Sequence, residues 1–247
     1  MLLLLIIGST VLSGAGSVGL ASLALLLPEA SRRCLTPVAV SYATGTLLGA
    51  ALLGLLPRAL QDLPAHHAMA TVLGGILCFF LLERLAVWRH CHAKQCEIHS
   101  STATLILLGD ALHNFVDGVA ISVAFIASVP LGIATAIAVA AHEIPQEIGD
   151  FFILLEGGFA KKRALIWNML SSLSALAGGL LSYAWILPAK SLAPYVMAFS
   201  GASFVYIALA DLIPGHRRET SLNSAFQQFI LIVAGIGTIL LLQGNQG

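Results

Sequence analysis

The sequence predicts an all-α integral membrane protein with eight transmembrane helices, and three observations carry that prediction. Apolar residues make up 58% of the 247-residue chain and charged residues only 10%, for a mean hydropathy of +0.92. A soluble domain of this composition would lack the polar surface to cover itself. The apolar residues also fall into runs of about 20, the length a helix needs to cross hydrocarbon. Finally, the basic residues lie almost wholly on alternate loops, as positive-inside insertion requires. Nothing is left over for a soluble domain, so residues 1–247 read as a single transmembrane unit. With a formal net charge of zero and a pI of about 7.1, nothing points to nucleic acid as a partner.

In chain order the spans are residues 2–27, 38–56, 68–88, 102–126, 130–155, 163–187, 193–213 and 225–242. The first has the position of a secretory leader but no basic residues before it. Its apolar stretch also outlasts the usual leader core before it meets Arg32 and Arg33, so a retained helix is expected. Span 2 carries Gly45 and Gly49, four apart, which permits a close helix crossing. Span 3 runs into the basic residues Arg84, Arg89 and Lys94. Spans 4 and 5 are joined only by Ala127 to Pro130, and Pro130 suits the first turn of a helix. Within span 5, Pro145 removes one N–H and crowds the Ala141 carbonyl, which predicts a kink. Gly14, Gly16 and Gly19 in span 1, and Gly178 and Gly179 in span 6, offer further close approaches. Span 7 ends in Ala210-Asp211-Leu212-Ile213-Pro214, and span 8 follows after one basic loop. Short loops make sequential helices antiparallel neighbours. Spans 1–3 and 6–8 are candidates for an inverted repeat about spans 4 and 5.

Arg32, Arg33, Arg84, Arg89, Lys94, Lys161, Lys162, Arg163, Arg217 and Arg218 follow spans 1, 3, 5 and 7, against Arg58 and Lys190 on the other side. That bias puts both termini outside and loops 28–37, 89–101, 156–162 and 214–224 in the cytoplasm. Cys34, Cys91 and Cys96 then face a reducing compartment and Cys78 lies in a span, so structural disulfides are not expected. The loop after span 3 carries His90, Cys91, His92, Cys96 and His99. These residue types suit zinc, copper or nickel, though their spacing matches no closed structural zinc site. Weak metal capture and incidental composition both fit that loop. The same two readings apply to His66 and His67 on the outer loop.

Two helical stripes carry the chemistry. Residues three and four apart share a helix face, so Asp110, His113, Asn114 and Asp117 line one side of span 4. His142, Glu143, Gln146, Glu147 and Asp150 line one side of span 5. Counting about 1.5 Å per residue, His113 and His142 both fall near the bilayer midplane, where transporter sites tend to lie. A charge there costs roughly 3 kcal/mol even on lenient scales. A lone pair of such residues is readily explained as interhelical glue. Nine of them on facing stripes point instead to an ion pathway, because the desolvation cost grows with each. Neutral imidazoles with carboxylates make a mixed nitrogen and oxygen site for a borderline cation such as Zn²⁺. Asp110 and Asp150 lie nearer the cytoplasmic ends, as mouth residues or as solvated end charges.

His113-Asn114-Phe115-x-Asp117-Gly118 and His142-Glu143-Ile144-Pro145-Gln146-Glu147-Ile148-Gly149-Asp150 resemble the two signature motifs of the ZIP (Zrt/Irt-like) metal transporters. The resemblance extends to the eight spans, the His-bearing loop after span 3 and Ala210 to Pro214. It implies a 3+2+3 helix arrangement and uptake of Zn²⁺, or of Fe²⁺, Mn²⁺ or Cd²⁺, into the cytoplasm by alternating access, with helices 1, 4, 5 and 6 moving against 2, 3, 7 and 8. The metal is then a transported substrate and not a catalytic cofactor. By the same resemblance, His113, Asp117, His142 and Gln146 line a first metal position. Asn114 and Glu143 belong to a second, with Glu147 close by. Asp211 is placed on the exit route or as an end-of-helix charge, and a homodimer is left open. The family branch it looks closest to suggests a bacterial member in the inner membrane. Two departures stand out: Gln146 where relatives carry His or Glu, and Ser171-Ser172 where some carry a Glu on helix 6. They imply one strong metal position with a weaker neighbour.

Two rivals come from other classes. An intramembrane zinc protease would need His-Glu-x-x-His on a helix; here Gln146 replaces the second His and Pro145 distorts the turn. A proton- or sodium-coupled solute carrier would use intramembrane carboxylates but leaves the paired histidines without a role.

Overall fold

The computed structural model describes residues 1–91, 98–186, 188–213 and 222–243, with side chains described apart from those of 83, 85–91, 98–106, 156 and 211. The helices are α1 (Leu2–Ser13), α2 (Ala15–Ala24), α3 (Glu29–Gly49), α4 (Leu56–Asp62), α5 (Ala65–Cys91), α6 (Ile98–Ala127), α7 (Val129–Glu156), α8 (Lys161–Ser172), α9 (Ser174–Ile186), α10 (Ala193–Ile207) and α11 (Leu222–Gln243). Two π-helical stretches, Ala50–Leu55 and Ala208–Leu212, follow α3 and α10, and no strand occurs among the described residues. Among the described residues, seven helical stretches are long and apolar enough to cross a membrane: Leu2–Ala24, Glu29–Asp62, Ala65–Leu82, Leu107–Ala127, Lys161–Ile186, Lys190–Ala210 and Leu222–Gln243. Helix α7, of 28 residues, carries the second polar stripe and stands apart from that set.

Several sequence expectations are adjusted. Residues 29–37 are helix and not loop, because α3 starts at Glu29, directly after Pro28. An Arg33–Glu29 ion pair one turn apart supports that exposed start. A reading based on apolar runs begins only where the charged residues stop. The Ser128 side chain caps α7 by accepting from the Leu131 N–H at 3.3 Å, with Pro130 in the first turn as expected. Pro145, where a kink is expected, lies inside α7, which is helical on both sides of it.

The interruptions that do occur come in matched pairs. Span 1 breaks at Gly14 and span 6 at Leu173. The two breaks adjoin: a Cβ on Gly14 would lie 2.6 Å from the Ser172 carbonyl oxygen. The π-helical stretches sit in spans 2 and 7, and each precedes a proline, Pro57 and Pro214, that has no N–H for the regular helix ladder. Pairing span 1 with 6 and span 2 with 7 is the correspondence an inverted repeat requires.

Helix pairs cross at reciprocal glycines. A Cβ on Gly118 of α6 would fall deep inside the Ala175 carbonyl of α9, and one on Gly178 of α9 inside the Phe115 carbonyl of α6. Gly45 of α3 and Gly235 of α11 repeat the arrangement over Ile232 and Tyr42. Both crossings are tight backbone contacts of the small-residue kind. The Ser174 hydroxyl also donates to the Ala111 carbonyl across the α6–α9 seam. From the Ala127–Val129 turn, an apolar core that includes Leu55, Ile121, Phe125 and Leu131 extends along the bundle to Phe204, whose ring lies 6.3 Å from that of His142. A smaller cluster of Leu107, Leu154 and Ala164 lies toward the other end.

Candidate metal centre

Helices α6 and α7 are antiparallel neighbours, so their polar stripes meet in the middle of the bundle. His113 Nε2 lies 3.1 Å from His142 Nε2, and His142 Nε2 lies 3.1 Å from Asp117 Oδ2. His113 Nε2 is 3.6 Å from Asp117 Oδ2 and 3.4 Å from Glu143 Oε1, with His142 Nε2 3.5 Å from the same Glu143 oxygen. All four donor atoms fall within 4.8 Å of one another. A regular tetrahedron about zinc, with bonds of about 2.0–2.1 Å, has edges of about 3.3–3.4 Å. The five measured edges scatter around that value.

The protonation pattern points the same way. His142 Nδ1 sits 3.0 Å from the Ala138 carbonyl, which can only accept, so the ring proton is assigned to Nδ1. In the neutral ring, Nε2 then turns a lone pair toward the carboxylates, the tautomer a metal ligand needs. Neither Asp117 oxygen meets a donor in hydrogen-bond geometry, although the imidazole is close. Both oxygens of Glu143 and Glu147 are likewise buried without a donor. Asp117, His142, Glu143 and Glu147 are each 0% exposed. Acceptors converging in a dry place repel one another, and a divalent cation is the group that satisfies them together. Two carboxylates, with both imidazoles neutral as metal ligands, would carry the charge that offsets an ion of +2.

Beside this tetrahedron is a second group, Asp110, Glu143 and Glu147, so Glu143 belongs to both. Asp110 is held on three sides. Its Oδ1 accepts from Asn114 Nδ2 at 3.0 Å and from Gln146 Nε2 at 3.2 Å, and its Oδ2 accepts from the Ser171 hydroxyl of α8. The Gln146 Nε2 is thus turned to Asp110, and among the His, Asp and Glu side chains the fourth member of the group is Glu143. Asn114 is fully buried, with its Oδ1 unpartnered. Asp150 lies two turns beyond His142, half-buried. Asn168, unremarked in the sequence, is buried on α8 and donates to the Glu147 carbonyl at 3.3 Å. Its signal was a carboxamide one turn before Ser171, on the same helix face.

Other candidate residues lie elsewhere. The His66 and His67 rings are 4.1 Å apart and exposed. Cys34 and Cys78 are free and exposed. The side chains of His90, Cys91, His99 and Asp211, and the whole of His92 and Cys96, fall outside the described residues.

Comparison with known proteins adds an independent line. The model of the ZIP Zinc transporter family matches residues 87–243. The chain is 36% identical over 151 residues to zinc transporter ZIP10 of Danio rerio, covering 58% of this chain and 18% of that protein. It is 32% identical over 222 residues to zinc transporter ZIP13 of Pongo abelii, covering 82% and 65%. It is 35% identical over 168 residues to metal cation symporter ZIP14 of Bos taurus, covering 64% and 34%. The chain therefore spans between 18% and 65% of the length of these relatives. All three are animal proteins and lend no support to a bacterial source. The matched region takes in both polar stripes and the helices that bring them together, and by that match the chain belongs to the ZIP zinc transporter family.

Proposed function

We propose that this chain carries Zn²⁺, or a related divalent cation, across a membrane into the cytoplasm through the cluster between α6 and α7. The observation that carries the reading is the buried tetrahedron of His113, Asp117, His142 and Glu143, whose acceptors face one another. Two relatives are named zinc transporters and a third a metal cation symporter, which favours a cation substrate and leaves Fe²⁺, Mn²⁺ and Cd²⁺ as competitors to try. A protease is not favoured, because Gln146 is committed to Asp110 instead of supplying a second imidazole.

In this reading α7, fifth in chain order, completes the set of eight spans, in a 3+2+3 arrangement with both termini outside. The bacterial inner membrane is proposed from the family branch alone. Cys34, exposed near the start of α3, then faces the cytoplasm. A membrane-impermeant maleimide should label it in inside-out vesicles and leave it unlabelled in right-side-out ones; the reverse pattern would invert the topology.

Ions move by alternating access. The outward ends of α6 and α7 are sealed by Phe125, Leu131, Ile121 and Leu55, whereas the His113 side chain keeps 16% exposure. The reciprocal glycine crossings join span 4 to 6 and span 2 to 8. That favours two rigid groups, 1-4-5-6 and 2-3-7-8, sliding past each other.

The two metal positions differ in hardness. The first offers two nitrogens and two carboxylates, and the second, Asp110, Glu143 and Glu147, offers oxygen alone. Zinc prefers the mixed set. Titration of the purified chain is expected to give one tight and one weaker step, with Asp110→Asn removing only the weaker. Two equally tight ions per chain would contradict this.

A further inference from the structure

Between α6 and α8, at the end of the bundle opposite the Ala127–Val129 turn, lies a cavity of about 330 Å³. Its walls are Leu107 and Leu108 on one side and Trp167 and Leu170 on the other, with Arg163 at one end and Ser171 at the other. We propose that this cavity binds an anionic phospholipid, with its phosphate on Arg163 and an acyl chain along the apolar walls.

The size falls within the usual range for a ligand site. Leu108, Leu170 and Trp167 are 57%, 53% and 41% exposed, so in a membrane-embedded chain the medium that meets them is lipid. Trp167 is of the type that anchors helices at the headgroup level. Arg163 and Ser171 are eight residues apart on α8, which is roughly 12 Å along the helix. That span leads from the headgroup region well into the hydrocarbon.

The polar end selects the charge. Lys161, Lys162 and Arg163 fill the first turn of α8, where the positive end of the helix dipole disfavours cations. Among the described residues no carboxylate lies within ion-pair distance of Arg163, whose guanidinium stacks 5.0 Å from the centre of the Phe159 ring. Three cations added to a positive helix end leave a local excess of charge, and a phosphate brought there by lipid offsets both sources. The inner end of the cavity has a consequence for the metal centre. Ser171 lines it and donates to Asp110 of the oxygen-only group, so a bound acyl chain packs one hydrogen bond away from that group.

The inference rests on membrane insertion and the proposed orientation, and not on transport itself. Native mass spectrometry of the purified full chain, exchanged with phosphatidylglycerol and phosphatidylcholine in equal amounts, reads it directly. One retained lipid is expected, with phosphatidylglycerol preferred. Arg163→Gln should lower that preference about fivefold, the weight of one basic residue at a membrane surface. Leu170→Trp, which fills the cavity, should reduce retention of both lipids. Arg58→Gln, at the opposite end, should change neither. Equal phosphatidylglycerol retention by the native chain and Arg163→Gln would overturn the proposal. Selective lipid binding in a chain that moves no zinc would leave it standing and overturn the transport reading alone.

Discussion

Replacing His142 with alanine is expected to weaken zinc binding by more than about a hundredfold and to abolish flux. Changes that merely reorient a metal ligand cost about 10- to 100-fold, and this one removes a ligand outright. His142 is 0% exposed and locked by its Nδ1 contact to Ala138, so water replaces its Nε2 poorly. The loss would leave the Asp117 and Glu143 carboxylates buried with one imidazole fewer to share the ion. Competition against a chromogenic chelator measures the effect. The informative comparison is Gln146→Ala. Since Gln146 donates to Asp110, its loss should cost about tenfold, the low end for an outer-shell contact. Equal losses in the two variants would mean that Gln146 is itself a ligand.

The second large effect concerns the frame that holds the site. Gly118→Val is expected to destabilise the fold by more than about 3 kcal/mol, the upper end for overpacking. Its Cβ would overlap the Ala175 carbonyl, which is helix backbone and cannot step aside as a flexible side chain would. Helices α6 and α9 would have to separate, breaking the Ser174 to Ala111 hydrogen bond and displacing Asp117 beside it. Loss of a monodisperse peak in size-exclusion chromatography, with loss of zinc binding, is the expected outcome. Gly74→Val on α5 is the control, because nothing lies within 4 Å of a Cβ there. If both variants behaved as the native protein does, the tight crossing would be refuted.

Both effects involve residues visible in the sequence, but for different reasons. The apolar runs reveal where helices lie, because burial in hydrocarbon demands unbroken apolar length. They do not reveal the exposed helical turns from Glu29 onward, whose charged residues interrupt the apolar run. Nor do they reveal the breaks at Gly14 and Leu173, which depend on what packs across them. Helical periodicity was enough to set His113 and Asp117 on one face and His142 and Glu143 on another. It could not rank the members of a stripe. Gln146 and Glu143 both face α6, and only the side-chain contacts show Glu143 in the tetrahedron and Gln146 on Asp110. In the sequence Asp110 reads as a mouth residue or as an end charge. It is the centre of a network fed by α6, α7 and α8, a convergence that no single helix periodicity contains.

The central claim is that the α6–α7 cluster is the path of a transported cation. Uptake of radiolabelled zinc into proteoliposomes tests it most directly, with the native chain set beside His113→Ala and Asp117→Ala. Saturable uptake by the native protein, lost in both variants while each remains folded and inserted, is the predicted result. Absence of uptake by correctly inserted native protein, or uptake untouched by either substitution, would contradict it.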